Sequence, residues 1–427
     1  MEAFKFKFAD FCIFKLTAAM ENTKNTNKAI KIKEGVYYVG AFDPDLKIFD
    51  IVVPTEHGTT YNSYFIQGKE KSALIDTVKL NTKDQLIDKL SGITDISKID
   101  YIVINHTEPD HSGSLHNIKE IAKDATLVYS KNAHHFVKHI IKTDYKNITV
   151  GDGDSIDLGG KTLQFISAPF LHWPDTMFTY LKEDKILLPC DFLGSHYCDE
   201  KMFNDLIDDK DAAFAAFKFY FEHIMRPFKN YALNAIEKLK NYDFDIIAPS
   251  HGPILIENLQ KYLDWYYNRS LDIKKDKSLK KIVVVYASAY GNTEEMAKQV
   301  VKGAQIESLT DVVLCNLISV DINDVVDIIE NSDGVIVGSP TLNAKPPKPI
   351  FDMISSLVML NVKNKKAAVF GCYGWSGEAV KMVEDILKSL KFEILVEGLK
   401  IQMVPFEEDL ERCEKFGMDF AYKITEQ

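Results

Sequence analysis

The chain has 427 residues, 46% hydrophobic and 26% charged, the balance of a folded globular protein rather than a fibrous or disordered one. That length exceeds what a single hydrophobic core supports and predicts two domains. A formal net charge of −11 disfavours nucleic acid, whose phosphates are bound by clustered Lys and Arg.

Without an apolar run of about eighteen residues, no membrane-spanning helix is expected, and the chain reads as cytoplasmic. Cys12, Cys190, Cys198, Cys315, Cys372 and Cys413 are scattered and form no C-x-x-C pair. Neither a disulfide framework nor a rubredoxin-like iron site is therefore expected. Residues 1–29 open with the strand-like alternation Phe4-Lys5-Phe6-Lys7-Phe8 and end in a polar, Asn/Lys-rich run. Asp10 and Lys15 break any apolar region long enough for a secretory signal, so this segment reads as a poorly ordered extension outside both domains.

Residues 30–271 form the first expected domain, since from Gly35 to about Trp265 short apolar runs alternate with turns and a few helical stretches, as in a strand-rich α/β domain. The strand Tyr101–Asn105 runs into His106-Thr107-Glu108-Pro109-Asp110-His111. Alternate side chains of an extended strand share a face, so His106 and Glu108 converge on one ion. Pro109 forces a turn that redirects Asp110 and His111 toward a second. The pattern recurs: Leu163–Ala168 leads to His172, Ile186–Pro189 to Asp191 and Ile246–Pro249 to His251. Side chains beyond several strand ends meet on one rim of a layered fold, which places four histidines and three carboxylates in one pocket. Packing the dense His106–His111 group without a cation would carry a heavy desolvation cost. The remaining candidates His116, His134, His135, His139, His196 and His223 read as ordinary hydrogen-bonded histidines.

Residues 272–281 are charged, glycine-free and linker-like. Residues 282–427 then alternate strands (Ile282–Ala287, Val312–Leu317, Gly334–Gly338, Ala367–Gly371) with helical runs, the signature of a doubly wound parallel sheet. After the first strand, Ser288-Ala289-Tyr290-Gly291-Asn292-Thr293 opens a helix whose N-terminal amides and dipole suit a phosphate. No Walker-type Gly-Lys-Ser/Thr accompanies it, which disfavours ATP. Ser339-Pro340-Thr341-Leu342-Asn343 and Gly371-Cys372-Tyr373-Gly374-Trp375-Ser376-Gly377 follow the third and fourth strands. All three loops lie at strand carboxyl ends, where such sheets bind ligands.

The run HTEPDH, with His172 in PFLHWPDTM, Asp191 in PCDFLGSH and His251 in APSHGPI, resembles the flavodiiron family, and the three later loops resemble flavodoxin's phosphate loop and flavin-flanking loops. The resemblance implies a metallo-β-lactamase-like αββα sandwich followed by a flavodoxin-like FMN domain. It implies that His106, Glu108 and His172 hold one non-haem iron, that Asp110, His111 and His251 hold the other, and that Asp191 bridges them. It also implies that His57 and Tyr220 lie near the substrate pocket. The implied reaction is reduction of O₂ to water, of NO to N₂O, or both. Electrons would come through FMN from a separate donor, a rubredoxin-like protein or a flavin reductase. The implied assembly is a head-to-tail homodimer or a dimer of dimers. The rival reading is a zinc-dependent hydrolase of the same fold with an accessory flavodoxin domain. Glu108 stands where those hydrolases carry histidine, and this harder, more anionic donor favours iron or manganese.

Overall fold

Apolar residues of the N-terminal strands point alternately to two different cores. In the strand Tyr101–Ile104, Ile102 and Ile104 pack under helices while Val103 faces a second sheet, and all three are buried. The computed structural model describes residues 28–271, 279–306, 309–360 and 362–426. Nearly all of the N-terminal extension and most of the linker lie outside the described residues. The chain divides into two compact units between residues 271 and 272.

In the first unit a seven-stranded mixed sheet and a five-stranded sheet enclose one core, with Val103, Val128 and Ile75 on one side and Phe165, Leu181 and Leu188 on the other. Helices cover the outer faces. Lys83–Ser91, Leu115–Ile121 and Ala133–Ile140 bury Leu86, Ile118 and Val137, while Lys210–Tyr220, Lys229–Leu239 and Leu259–Ser270 bury Phe217, Ile236 and Leu263. This is the αββα sandwich expected from the sequence.

The second unit contains one parallel sheet of strands 1 (Lys280–Tyr286), 2 (Thr310–Asn316), 3 (Gly334–Gly338), 4 (Lys366–Tyr373) and a broken strand 5, in the order 2-1-3-4-5. Strand Lys280–Tyr286 shows why it is buried on both faces, since Val283 and Val285 enter one core and Ile282 and Val284 the other. Two details differ from the sequence reading. The first strand begins at Lys280, where its amide reaches Leu309 O at 2.8 Å, so the last two positions of the expected linker belong to the sheet. A fifth strand also exists, broken into Glu393–Ile394 and Leu399–Gln402. Each piece is too short to carry a recognisable apolar run.

Candidate metal centre and flavin loops

Four strand ends deliver the candidate metal-ligating side chains. Strand Tyr101–Ile104 belongs to the larger sheet, while Thr162–Ser167, Ile186–Leu188 and Ile246–Ile247 belong to the smaller one, so the site forms on a rim shared by both. The expected turn at Pro109 is the start of a one-turn helix, Pro109–Ser112, with proline at its first position, where no backbone donor is needed. That helix carries Asp110 and His111 into the interior, both buried. Ser112 Oγ ties it back by donating to Thr107 O at 2.7 Å and Glu108 O at 3.0 Å.

The seven side chains meet in two groups. Glu108 Oε2 lies 3.1 Å from His106 Nε2 and 3.0 Å from His172 Nε2, and Asp191 Oδ2 lies 3.6 Å from each of the same nitrogens. On the other side Asp110 lies 3.0 Å from His251 Nε2 and 3.4 Å from His111 Nε2, and Asp191 Oδ1 lies 3.3 Å and 3.0 Å from those nitrogens. Asp191 thus offers one oxygen to each group. Ligand atoms about 2.0–2.2 Å from a common cation stand roughly 3.0–3.6 Å apart, which matches these spacings.

Hydrogen bonding does not account for the arrangement. Asp110 Oδ1 and Oδ2, Asp191 Oδ2 and His111 Nε2 are buried without a hydrogen-bond partner, although each lies close to other polar atoms. Unaligned polar atoms crowded in the interior are costly unless a cation satisfies them. Without metal the groups charge one another. Burial by itself would strip the His251 proton, but the carboxylates of Asp110 and Asp191 outweigh it and lift the pKa to about 10. Burial likewise opposes ionisation of Asp191, yet the histidines hold its carboxyl well below the usual range. Four imidazoles and three carboxylates fit a pair of hard or borderline divalent ions.

Of the two expected pocket residues, Tyr220 is buried and its hydroxyl donates to Asp191 Oδ1 at 3.2 Å. His57 forms an isolated parallel bridge with Tyr197, and the two rings lie with centroids 4.9 Å apart. The histidine beside the centre is His196, read from the sequence as structural. Its ring lies 4.9 Å from Tyr220 and 5.3 Å from His251, Nδ1 is 2.9 Å from Thr59 Oγ1, and buried Nε2 has no partner. Burial lowers its pKa well below the usual value, so the ring is neutral. The sequence offered only its position five residues after Asp191 in an apolar run.

In the second unit Gly291, at φ +90°, caps the helix Asn292–Ala304 and donates its amide to Ser288 Oγ at 3.1 Å. Buried Thr293 meets Cys372 Sγ at 3.1 Å, joining the first loop to the third. The second and third loops are joined by Thr341 N–H donating to Cys372 O at 2.9 Å. Thr341 Oγ1 and Ser376 Oγ are shielded and unpartnered, as expected of groups reserved for a ligand. A segment not singled out in the sequence closes the same rim. Met403 N–H donates to Tyr373 O at 2.8 Å, and Asn292 Nδ2 donates to Met403 O at 3.3 Å. It follows the second piece of the fifth strand. Tyr290 and Trp375 stand largely exposed around this rim.

A β-lactamase-type sandwich carrying two groups of histidines and carboxylates that share Asp191, followed by a flavodoxin-type sheet, has the architecture of a metal-dependent flavoprotein oxidoreductase. Residues 59–252 match the ODP family beta lactamase and residues 284–417 match flavodoxin. The flavo-diiron protein FprA2 of Clostridium acetobutylicum is 40% identical over 405 residues, covering 93% of this chain and 100% of that protein. A nitric oxide reductase of Moorella thermoacetica is 37% identical, covering 94% and 100%. Among solved structures, rubredoxin:oxygen oxidoreductase from Desulfovibrio gigas superposes with a TM-score of 0.69 at 29% identity, covering 93% of this chain and 98% of that one. The flavodiiron protein from Giardia intestinalis gives 0.67 at 30%, covering 93% and 97%. The chain belongs to the flavodiiron family, and its cofactors are FMN and a diiron centre.

Proposed function

We propose that this chain reduces O₂ to water or couples NO to N₂O, with electrons arriving through FMN from a separate donor protein. The observation that carries the reading is the split of Asp191, one oxygen toward His106, Glu108 and His172 and the other toward Asp110, His111 and His251. We assign those two sets to the two irons and Asp191 to both. Relatives and neighbours named nitric oxide reductase, anaerobic nitric oxide reductase flavorubredoxin and rubredoxin:oxygen oxidoreductase support both gases and a rubredoxin-like donor. Family membership favours this reading over the zinc hydrolase.

Bound iron supplies one-electron chemistry and open coordination positions for a diatomic gas. The protein supplies the surroundings. Burial of His106, Asp110, His111, Asp191 and His251 keeps bulk water from most of the centre, and Asp191 joins its two halves. Burial also raises the Tyr220 phenol far above its ordinary pKa, so it keeps its proton and presents an O–H at the centre. His196, neutral with an unpartnered Nε2, places a second ring nitrogen able to exchange a proton on the same side. We assign FMN to residues 288–293, 339–343 and 371–377. Complete reduction of O₂ consumes four electrons, which reduced FMN and a ferrous pair would supply two each, and four protons, which must come from the reduced flavin and solvent. Coupling two NO to N₂O and water consumes two of each.

No helix among the described residues is long and apolar enough to cross a membrane. We read the chain as a cytoplasmic, oxygen- or NO-detoxifying enzyme. It would act as a head-to-tail homodimer in which each FMN serves the partner's irons. Anaerobic stopped-flow of the reduced holoenzyme against O₂ and, separately, NO tests the reading. Rapid flavin reoxidation by at least one gas is expected, and indifference to both would overturn it.

A further inference from the structure

The PFLHWPDTM segment carries a second chemical residue besides His172. Asp175 is 1% exposed, and its Oδ2 accepts from the Thr107 amide at 2.8 Å and the Thr107 hydroxyl at 2.7 Å. Its two oxygens also lie 3.3 Å and 3.4 Å from His106 Nδ1. The opposite nitrogen of that ring, Nε2, faces Glu108 and Asp191. An imidazole that gives one nitrogen's lone pair to a metal carries its proton on the other, where a carboxylate fixes both tautomer and ring orientation.

We propose that Asp175 is a positioning residue for the metal centre, holding His106 in the Nδ1–H tautomer and tying it to the loop that presents His172. The inference rests on the reading of this cluster as an iron site. The Asp175 loop is itself anchored: Ser130 Oγ donates to Asp175 O at 2.7 Å, and Asn132 Nδ2 donates to Pro174 O at 2.8 Å. The neighbouring group is backed differently. His251 Nδ1 meets the neutral carbonyl of Thr60 at 2.7 Å, and His111 Nδ1 is buried with no hydrogen-bond partner. A carboxylate is therefore hydrogen-bonded to the outer nitrogen of His106, and none is hydrogen-bonded to that of His251 or His111. The iron held by His106, Glu108 and His172 is the one whose retention depends on this second carboxylate.

Chelator-driven iron release from the anaerobic, reduced holoenzyme tests the assignment. In Asp175→Asn, one of the two irons should leave roughly 10–100-fold faster while the other leaves at the wild-type rate and FMN stays bound. Thr107→Val removes a hydrogen bond to Asp175 but leaves the carboxylate on His106, and both irons should be released within about threefold of wild type. Equal loosening of both irons, or wild-type release from Asp175→Asn, would overturn the proposal. Should Asp175→Asn not fold, the zinc-loaded wild-type protein decides by proton NMR. The His106 ring N–H, identified through its proximity to Trp173 (ring centroids 5.1 Å apart), should appear at low field and exchange slowly. A fast-exchanging N–H there overturns the assignment. Wild-type protein that binds no iron pair would instead sink the metal-site reading itself.

Discussion

The Tyr220 hydroxyl donates to Asp191 Oδ1 at 3.2 Å, onto the same oxygen that His111 Nε2 and His251 Nε2 approach at 3.0 and 3.3 Å. A one-turn π-helix, Phe221–Met225, follows Tyr220 directly, a deviation common at functional sites. Tyr220→Phe should retain both irons and FMN. A hydrogen bond to a charged group contributes roughly 1.5–3 kcal/mol, so loss of it in the reacting complex should slow turnover about tenfold or more. Wild-type gas turnover in Tyr220→Phe, measured by stopped-flow, would remove the tyrosine from the mechanism.

Because the two ligand groups share only Asp191, they should empty separately. His106→Ala and His251→Ala are each expected to bring iron from about two to about one per chain, whereas Asp191→Ala should lower both. FMN should remain in all three, because the flavin loops lie in the other unit. Metal analysis beside flavin absorbance reads the result, and loss of FMN along with iron would show the sites to be interdependent.

Gly371 permits the second and third flavin loops to touch. A Cβ there would stand 1.9 Å from Ser339 O, a backbone atom with no freedom to move aside. Gly371→Ala should push the loops apart and weaken FMN binding at least tenfold, with iron unchanged. Fluorescence titration of the apoprotein with FMN measures it, and unaltered affinity would mean the loops do not jointly form the site.

Burial raises the Asp76 carboxyl to about 7 in the metal-free protein, against the partial relief from His111 and the Asn105 amide. Its folded pKa exceeds the unfolded value, so the folded state binds the extra proton. Its contribution is fully present below about pH 4 and is lost as pH rises through 7. Asp76→Asn keeps an oxygen for the Asn105 amide and removes the titration. Denaturation of metal-free protein between pH 4 and 8 should therefore fall more steeply for wild type than for Asp76→Asn, by on the order of 2–4 kcal/mol over that interval. Parallel curves for the two proteins would contradict the assignment.

Assembly is tested by complementation. Subunits lacking FMN, with Ser288 and Thr293 replaced, are refolded together with subunits lacking iron, with Asp191 and His251 replaced. If each FMN serves the partner's irons, mixed dimers hold one working pair, and equal mixing should restore about a quarter of wild-type activity. Transfer within one chain predicts no recovery despite subunit exchange confirmed by mass labels.

The sequence by itself determined the two fold types and picked out the candidate metal ligands that the fold brings together. Strand periodicity is local, and His106, Glu108, Asp110 and His111 lie within six residues that no ordinary core accommodates without a cation. His172, Asp191 and His251 were legible because each follows a short apolar strand, and parallel strand ends share a rim. Tertiary structure decided what depends on side chains meeting across long separations. It put His196 rather than His57 beside Tyr220, closed the flavin rim with Met403 after a broken fifth strand, and set Asp175 behind His106, 69 positions away. Asp175 and His196 lie within the quoted motifs, but nothing local shows which side chains they meet. Their roles follow from which atoms share a buried space, and only the packing of the two sheets against each other, or of the loops around one sheet edge, fixes that.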